Sequence, residues 1–388
     1  MTAAGSPAVT APSAPTIAEQ LEAEPRQFEP GRDEAILAAV AEGTRLSGSD
    51  ALYLFEYGDL ERVGAAADAA RRRKHPDNRA TFIIDRNINY TNVCVARCSF
   101  CAFYRLPRHA EGYRRSKEEI FRRIEEALDM GATQIMFQGG HDPELKIDYY
   151  EDLLSSVKQR YPVTLHSLGP PEVLHIARVS HLTVPVVLRR LRRAGLDSLP
   201  GAGAEILVQR VRQEVSPFKS GAEEWLEVME EAHRQHIRTT ATMTFGMVET
   251  YAERVEHFQR IRDVQDKADP RQGFRAFIPF IYQPGNTELG GRATSIADYL
   301  RTLAISRLFL DNFYSLQGSW LTTGTAAARS SLEYGADDLG SIMLEENVVR
   351  ATGLDHGMTD HAMVQLIREC RRIPALRDTH YRIIATYA

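Results

Sequence analysis

Residues 80–105 read ATFIIDRNINYTNVCVARCSFCAFYR. The β-branched and apolar run ATFIID (80–85) has the character of a buried strand, and it passes directly into a polar loop holding three cysteines. Further strands are predicted at TQIMFQ (133–138), VTLHSL (163–168), SLPGAG (198–203), TTATMTFG (239–246), AFIPFIY (276–282) and SLQGSW (315–320), with a weaker one at DDLGSIM (337–343). Amphipathic segments near 116–129, 148–160, 171–194, 205–213, 221–236, 250–267, 297–311 and 325–334 separate them as helices. This alternation predicts parallel strands joined by right-handed crossovers. Seven or eight such units predict an α/β fold, a TIM-type (β/α) barrel, complete or partial, with its chemistry at the C-terminal strand ends.

Around this barrel, placed at 80–345, the chain divides further. Residues 1–16, MTAAGSPAVTAPSAPT, are small, Pro-containing and uncharged, and are expected to form a disordered tail. Residues 17–79 read as an N-terminal helical extension, through DEAILAAVAEG, SDALYLFEYG and DLERVGAAADAARRRK. Asp33, Ser49 and Asp59 are its expected N-caps. Residues 346–388 read as a closing segment, with a helix after 360 and a short final piece.

Composition limits the function classes. With 388 residues, 43% hydrophobic and 26% charged, the chain has material for a large core. A net charge of -5 gives no broad basic surface and argues against nucleic acid. The RRRK run at 71–74 is expected to be the solvated end of a helix. No apolar run approaches the roughly 20 residues of a membrane span, and the N-terminus lacks the pattern of a secretory signal. A cytoplasmic protein without a membrane partner is therefore expected.

The cysteines are spaced C-x3-C-x2-C at Cys94, Cys98 and Cys101; the remaining cysteine, Cys370, is remote in sequence. Thiolates are soft ligands for zinc or iron–sulfur clusters. Zinc would need a fourth ligand, and His109 lies outside the usual close spacing. A cubane held by three cysteines leaves one iron open to a small molecule. The predicted strand ends gather polar residues on the same side, among them Gln138, His166, Ser167, Glu249, Gln283, Asn286 and Gln317. Turn chemistry alone accounts for the glycines and prolines there. His166 sits inside an alternating strand with its tip toward this end, where an imidazole suits substrate contact or acceptance of a proton.

CVARCSFC resembles the C-x3-C-x-Φ-C signature of the radical S-adenosylmethionine (SAM) superfamily, with Phe100 as the aromatic residue. RNINYTNVCVARCSFCAFYR (86–105), QGGHDPELKIDYYEDLL (138–154), LHSLGPPEV (165–173), GLDSLPGAGAEIL (195–207), GMVET (246–250) and QPGNTEL (283–289) are similar to the group that builds menaquinone by the futalosine route and deazaflavin cofactors. NYTNVC, CAFYR and LHSLGPPE most resemble the dehypoxanthine futalosine cyclases. The resemblance spans about 80–355.

It implies a [4Fe–4S] cluster on Cys94, Cys98 and Cys101, with SAM on the open iron. One electron then cleaves SAM to a 5′-deoxyadenosyl radical that abstracts a substrate hydrogen. In the cyclases that hydrogen leaves C4′ of the ribose of dehypoxanthine futalosine. The carbon radical adds to the benzoate ring, and loss of an electron and a proton gives the cyclic product, with His166 a candidate to take that proton. The resemblance places Phe100 and Tyr104 against SAM. It places Gln138, Gly139 and Gly140 where relatives have a GGE-type motif, although His141 here replaces the acid. Glu205 and Arg210 fall where relatives bind the SAM ribose and carboxylate, with Arg212 competing for the latter role. Gln283, Asn286, Gln317 and Ser319 are candidates for binding the ribose or the benzoate. A flavodoxin or ferredoxin reductant is implied. Aminofutalosine synthase and deazaflavin-cofactor synthase chemistry are the near alternatives; an iron–sulfur electron carrier or a zinc-stabilised binding module is the non-catalytic one.

Overall fold

The computed structural model describes residues 14–269 and 271–387. Most of the expected disordered tail, 1–13, lies outside the described residues; Thr16 already caps the helix Ile17–Ala23, in a capping box with Glu19. Three more helices complete the N-terminal extension. Gly31 (φ 80°) caps Arg32–Ala41, so Asp33 falls inside the first turn instead of at the cap. Ser47, two residues before the expected Ser49, caps Gly48–Tyr57 by accepting from the Asp50 amide. Asp59 caps Leu60–Lys74 as expected. The extension packs on the helices Tyr251–Lys267 and Ile296–Phe309, with Phe55 stacked on Tyr251 at 4.8 Å.

The basic run 71–74 is not simply solvated. Arg71 is buried and donates to Asp68 at 2.7 Å, and Lys74 donates to the carbonyls of Asp311 and Phe313. Loop carbonyls beyond the helix Ile296–Phe309 give the ammonium its partners.

The barrel strands are β1 (Arg79–Ile83), β2 (Asp85–Ile88), β3 (Gln134–Phe137), β4 (Thr164–Leu165), β5 (Ser198–Leu199), β6 (Arg238–Phe245), β7 (Phe274–Ile281), β8 (Ser315–Leu316) and β9 (Asp338–Ser341). β1 and β2 are halves of one strand: β1 pairs with β9, and β2 continues to pair with β3, both in parallel. Parallel pairs run β3–β4 and β5–β6–β7–β8, and the bridges His166–Ser198 and Gln317–Asp338 join the remaining gaps. The ring therefore closes, and the expectation of a complete or partial barrel resolves to a complete one of eight parallel strands, β1 and β2 counted together. Every predicted strand segment overlaps one of its members. Three of those strands, β4, β5 and β8, are only two residues long, with Gly169, Pro200, Gly201 and Gly318 turning the chain soon after them.

The predicted helix 171–194 is two helices, Pro170–Ser180 and Val184–Ala194. His181 (φ 55°) ends the first and Pro185 opens the second. Likewise Glu205 takes φ 42°, so the next helix starts only at Gln209.

Beyond the helix Asp360–Glu369 come β10 (Ile373–Arg377) and β11 (Ile383–Thr386). β10 lies parallel to β1, on the edge that β3 leaves free, and β11 pairs antiparallel to β10. Arg377, Thr379 and Tyr381 of this segment enter the lower barrel interior. Among the described residues no helix is long and apolar enough to cross a membrane.

Candidate active site

The cysteine loop is fixed before any ligand is considered. The Cys94 amide donates to the Arg105 carbonyl and the Arg105 amide to the Asn92 carbonyl, both at 2.8 Å. Ser99 anchors the far side, its amide donating to Val215 O at 2.9 Å. Cys94 and Cys98 are buried and Cys101 half-buried, all three lining a cavity of about 200 Å³ at the C-terminal strand ends. Burial pushes all three thiols up, Cys98 to about 12, while the Lys219 charge acts the other way. The thiolate forms therefore need a cation beside them. Among the described residues no set of three or more His, Cys, Asp or Glu converges on one metal ion. A cubane asks for a different arrangement, in which each thiolate takes its own iron. The donor set fits that group.

Gly139 and Gly140 carry the second strand end against this loop. A Cβ on Gly140 would lie 2.1 Å from the Val93 carbonyl oxygen and 2.9 Å from Cys94 Cβ; one on Gly139 would lie 2.4 Å from the Tyr90 ring. Only glycine permits both approaches, and the bare backbone lines the cavity. The Gly139 amide donates to Glu172 Oε1 at 3.0 Å, Gly169 donates to Oε2 at 2.9 Å, and the Tyr90 hydroxyl donates to Oε1 at 2.7 Å. Burial pushes the Glu172 carboxyl up to about 7 against these three donors. His141, which follows the glycines, stacks on His175 with centroids 5.1 Å apart, and burial together with His175 holds its imidazole well below the usual range. The acid at this wall is thus Glu172, supplied by the PPE turn at 170–172.

Phe100, Gln138 and Cys101 border both the cluster cavity and a larger one of about 300 Å³ over the barrel. Asn87 Nδ2 ties the Gln138 side chain (3.0 Å) to Glu346 (2.8 Å). Tyr104 lines the cluster cavity and donates to Glu288 at 2.6 Å. Glu205 lines the larger cavity and accepts from Lys219 Nζ at 2.9 Å and Arg212 Nη1 at 3.3 Å. Arg210 is turned away: it pairs with Glu253 and Glu214 and lines neither cavity.

His166 borders the larger cavity from below. Its Nδ1 lies 2.8 Å from Ser198 Oγ, and Ser198 gives its one hydroxyl proton to the Arg238 carbonyl at 2.8 Å. Nδ1 is then the donor and Nε2 the free acceptor, a tautomer assigned from this network. Burial, with the Arg275 charge, holds the ring well below its usual pKa, so it is neutral.

The four candidate substrate residues separate. Gln283 lines the larger cavity and donates to Thr322 O at 3.0 Å. Gln317 and Ser319 instead line a smaller chamber below His166. Asn286, at φ 56°, lies outside these cavities and donates to Ala351 O at 3.0 Å, tying two mouth loops together. Sequence reading assigned no role to Glu172, Lys219, Asn87, Glu346 or Arg275. The PPE turn was a visible signal for Glu172; Lys219 sits in an irregular stretch, 216–221, with no motif around it.

A closed parallel barrel with a three-thiol loop behind its first strand defines an enzyme that carries a cubane cluster at its mouth. Residues 88–261 match the radical SAM superfamily, and residues 271–387 match the CofH/MqnC C-terminal region. The cyclic dehypoxanthine futalosine synthase of Streptomyces coelicolor is 49% identical, covering 91% of this chain and 89% of that protein. The enzyme of the same name from Halalkalibacterium halodurans is 46% identical, covering 91% and 95%. The aminodeoxyfutalosine synthase of Thermus thermophilus is 36% identical, covering 91% and 96%. Among solved structures, methylornithine synthase superposes with a TM-score of 0.66 at 18% identity, covering 87% of this chain and 95% of that one. The chain belongs to the radical SAM superfamily and, within it, to the CofH/MqnC group. The superfamily's cofactors are a [4Fe–4S] cluster and SAM.

Proposed function

We infer that this chain is a radical SAM cyclase that converts dehypoxanthine futalosine to cyclic dehypoxanthine futalosine in menaquinone biosynthesis. The observation that carries the reading is the 49% identity to the Streptomyces coelicolor synthase over 91% of the chain, with the three-thiol loop seated on the barrel mouth. When bound, the cluster and SAM supply one-electron cleavage of SAM and abstraction of the ribose C4′ hydrogen.

The chain's own residues hold and shield that chemistry. Cys94, Cys98 and Cys101 take three irons. The exposed backbone of Gly139 and Gly140 receives the SAM amino group, and Phe100 and Tyr104 cover its adenine side. Glu205 accepts from the ribose hydroxyls, a role in which Lys219 orients it. Arg210 pairs outward with Glu253 and Glu214, so it does not hold the SAM carboxylate. Substrate occupies the larger cavity, whose Ile278, Phe280 and Leu321 surfaces keep water and stray hydrogen donors from a carbon radical. Gln283 contacts the ribose, and His166 takes the ring proton at Nε2. Gln317 and Ser319 act from the chamber beneath, and Asn286 acts on the mouth loops. The reductant is a flavodoxin or ferredoxin, the site of action the cytoplasm, and no nucleic acid or membrane takes part.

Anaerobically reconstituted protein tests the reading. With SAM, dithionite and dehypoxanthine futalosine it should form a product two hydrogens lighter, with one 5′-deoxyadenosine per turnover. SAM cleavage without cyclised product would overturn it.

A further inference from the structure

Among the described residues that line the larger cavity none carries a positive charge. Its charged lining residues are Glu205 and Glu346, both acidic, and the neighbouring Lys219 is already engaged by Glu205. A carboxylate-bearing substrate therefore finds nothing to neutralise it at that level. Below His166 the barrel continues into a chamber of about 100 Å³ that shares His166, Thr240, Phe280 and Leu321 with the cavity above.

Arg275, on β7, lines this chamber and is 3% exposed. Its Nη2 donates to Ser198 Oγ at 2.7 Å and lies 3.3 Å from His166 Nδ1. Nε and Nη1 are buried and have no hydrogen-bond partner among the described residues. Three other buried guanidiniums of this barrel have carboxylate partners, Arg377 in Asp338, Arg307 in Asp337, and Arg254 in Glu249 and Asp298, while Arg262 has two backbone carbonyls and Gln259. Arg377, in the same chamber, is therefore not available to an anion. A buried cation with unpaired N–H groups is costly unless a ligand completes it. A guanidinium is the side chain best matched to a carboxylate.

We propose that Arg275 anchors the aryl carboxylate of the substrate, with the aromatic ring lying along Phe280 and Leu321 beside His166. This rests on the cyclase reading, since it takes the substrate to carry a benzoate. On this placement the ring lies beside His166, because the anchor and the imidazole share Ser198 as a common partner.

The test compares dehypoxanthine futalosine with its analogue lacking the ring carboxylate. Wild type, first shown to form cyclic product, is expected to bind the analogue about 100-fold more weakly, because the anchor would be left unpaired. Arg275→Met should weaken the true substrate to the analogue's level and bind the two alike, with cluster iron content and the SAM-perturbed EPR spectrum unchanged. Arg275→Met that still discriminates as wild type does overturns the anchor while leaving the cyclase reading intact. Absence of cyclic product from wild type overturns the reading itself. Should Arg275→Met fail to fold, a wild-type crystal with substrate decides: a carboxylate hydrogen-bonded to Arg275 supports the proposal, and one held elsewhere refutes it.

Discussion

Lys219 Nζ lies 2.9 Å and 3.1 Å from the two carboxylate oxygens of Glu205, an ion pair across the partition between the cluster cavity and the larger cavity. Burial would lower the ammonium, yet the charges of Glu205 and Cys98 hold it above its ordinary value. Lys219→Met leaves Glu205 buried with only Arg212, at 3.3 Å, to balance it. The expected cost is about 3 kcal/mol, because removing one partner strands the other charge. Denaturant titration of the apoprotein measures it. Lys219→Met combined with Glu205→Gln should recover most of the loss; a double variant as unstable as the single one contradicts this account.

Gly140→Ala tests the close approach at the second strand end. The added Cβ would meet backbone, the Val93 carbonyl at 2.1 Å, so the loop has to move instead of a flexible side chain. Overpacking of this kind costs about 1–3 kcal/mol, and here it falls on the geometry of the thiols. Iron content after reconstitution should fall and SAM cleavage drop by at least about tenfold, with the far-UV circular dichroism unchanged. Full iron loading in the variant would show that the glycine is not needed for loop geometry.

Asp85 supplies a pH signature. It is fully buried on β2, Oδ1 lacks a hydrogen-bond partner, and burial raises its carboxyl to about 6. A carboxyl whose folded pKa lies above its unfolded value stabilises the fold at low pH, in full below about pH 4. That contribution is lost as pH rises through about 6. Asp85→Asn should therefore gain stability relative to wild type between pH 4 and pH 7, by up to about 3 kcal/mol at the upper end. Urea midpoints at the two pH values check the sign; a difference independent of pH would show that Asp85 does not titrate in this window.

Arg377 and Asp338 form a buried pair at 2.6 Å between β10 and β9. Asp338 also accepts from Thr81 Oγ1 and the Gly340 amide, so it cannot move to find water. Arg377→Met is expected to destabilise by about 3–5 kcal/mol, read as a lowered urea midpoint with unchanged slope. A change within experimental error would mean that β11 and the 378–381 turn hold the floor without it.

The barrel was legible because its strands are bounded by Gly and Pro and its helices are amphipathic, so ATFIID, TTATMTFG and AFIPFIY stand out even singly. The cysteine loop was legible because its spacing is rare. His166 was legible as facing inward, since alternation along a strand fixes the face of each side chain, and it lies just beyond β4. Arg210 and Arg212 could not be separated, because they stand about 200° apart on one short helix and the pattern does not fix which side faces the barrel: Arg212 is buried beside Glu205 and Arg210 faces Glu253. Gln317 and Ser319 were recognised as strand-end residues, but depth along the axis is invisible to a linear pattern. Lys219 and Arg275 were missed for a related reason. A single cation in an irregular stretch or an apolar strand reads as surface until tertiary packing shows it enclosed.

The pairing of β10 with β1 has a consequence for the order of folding. Arg79 aligns with Ile373, so the strand that starts the barrel pairs with one that follows every other strand of the barrel in sequence. Contacts of such long range close late, and the wall behind Arg275 and His166 is therefore expected to be completed after the rest of the barrel.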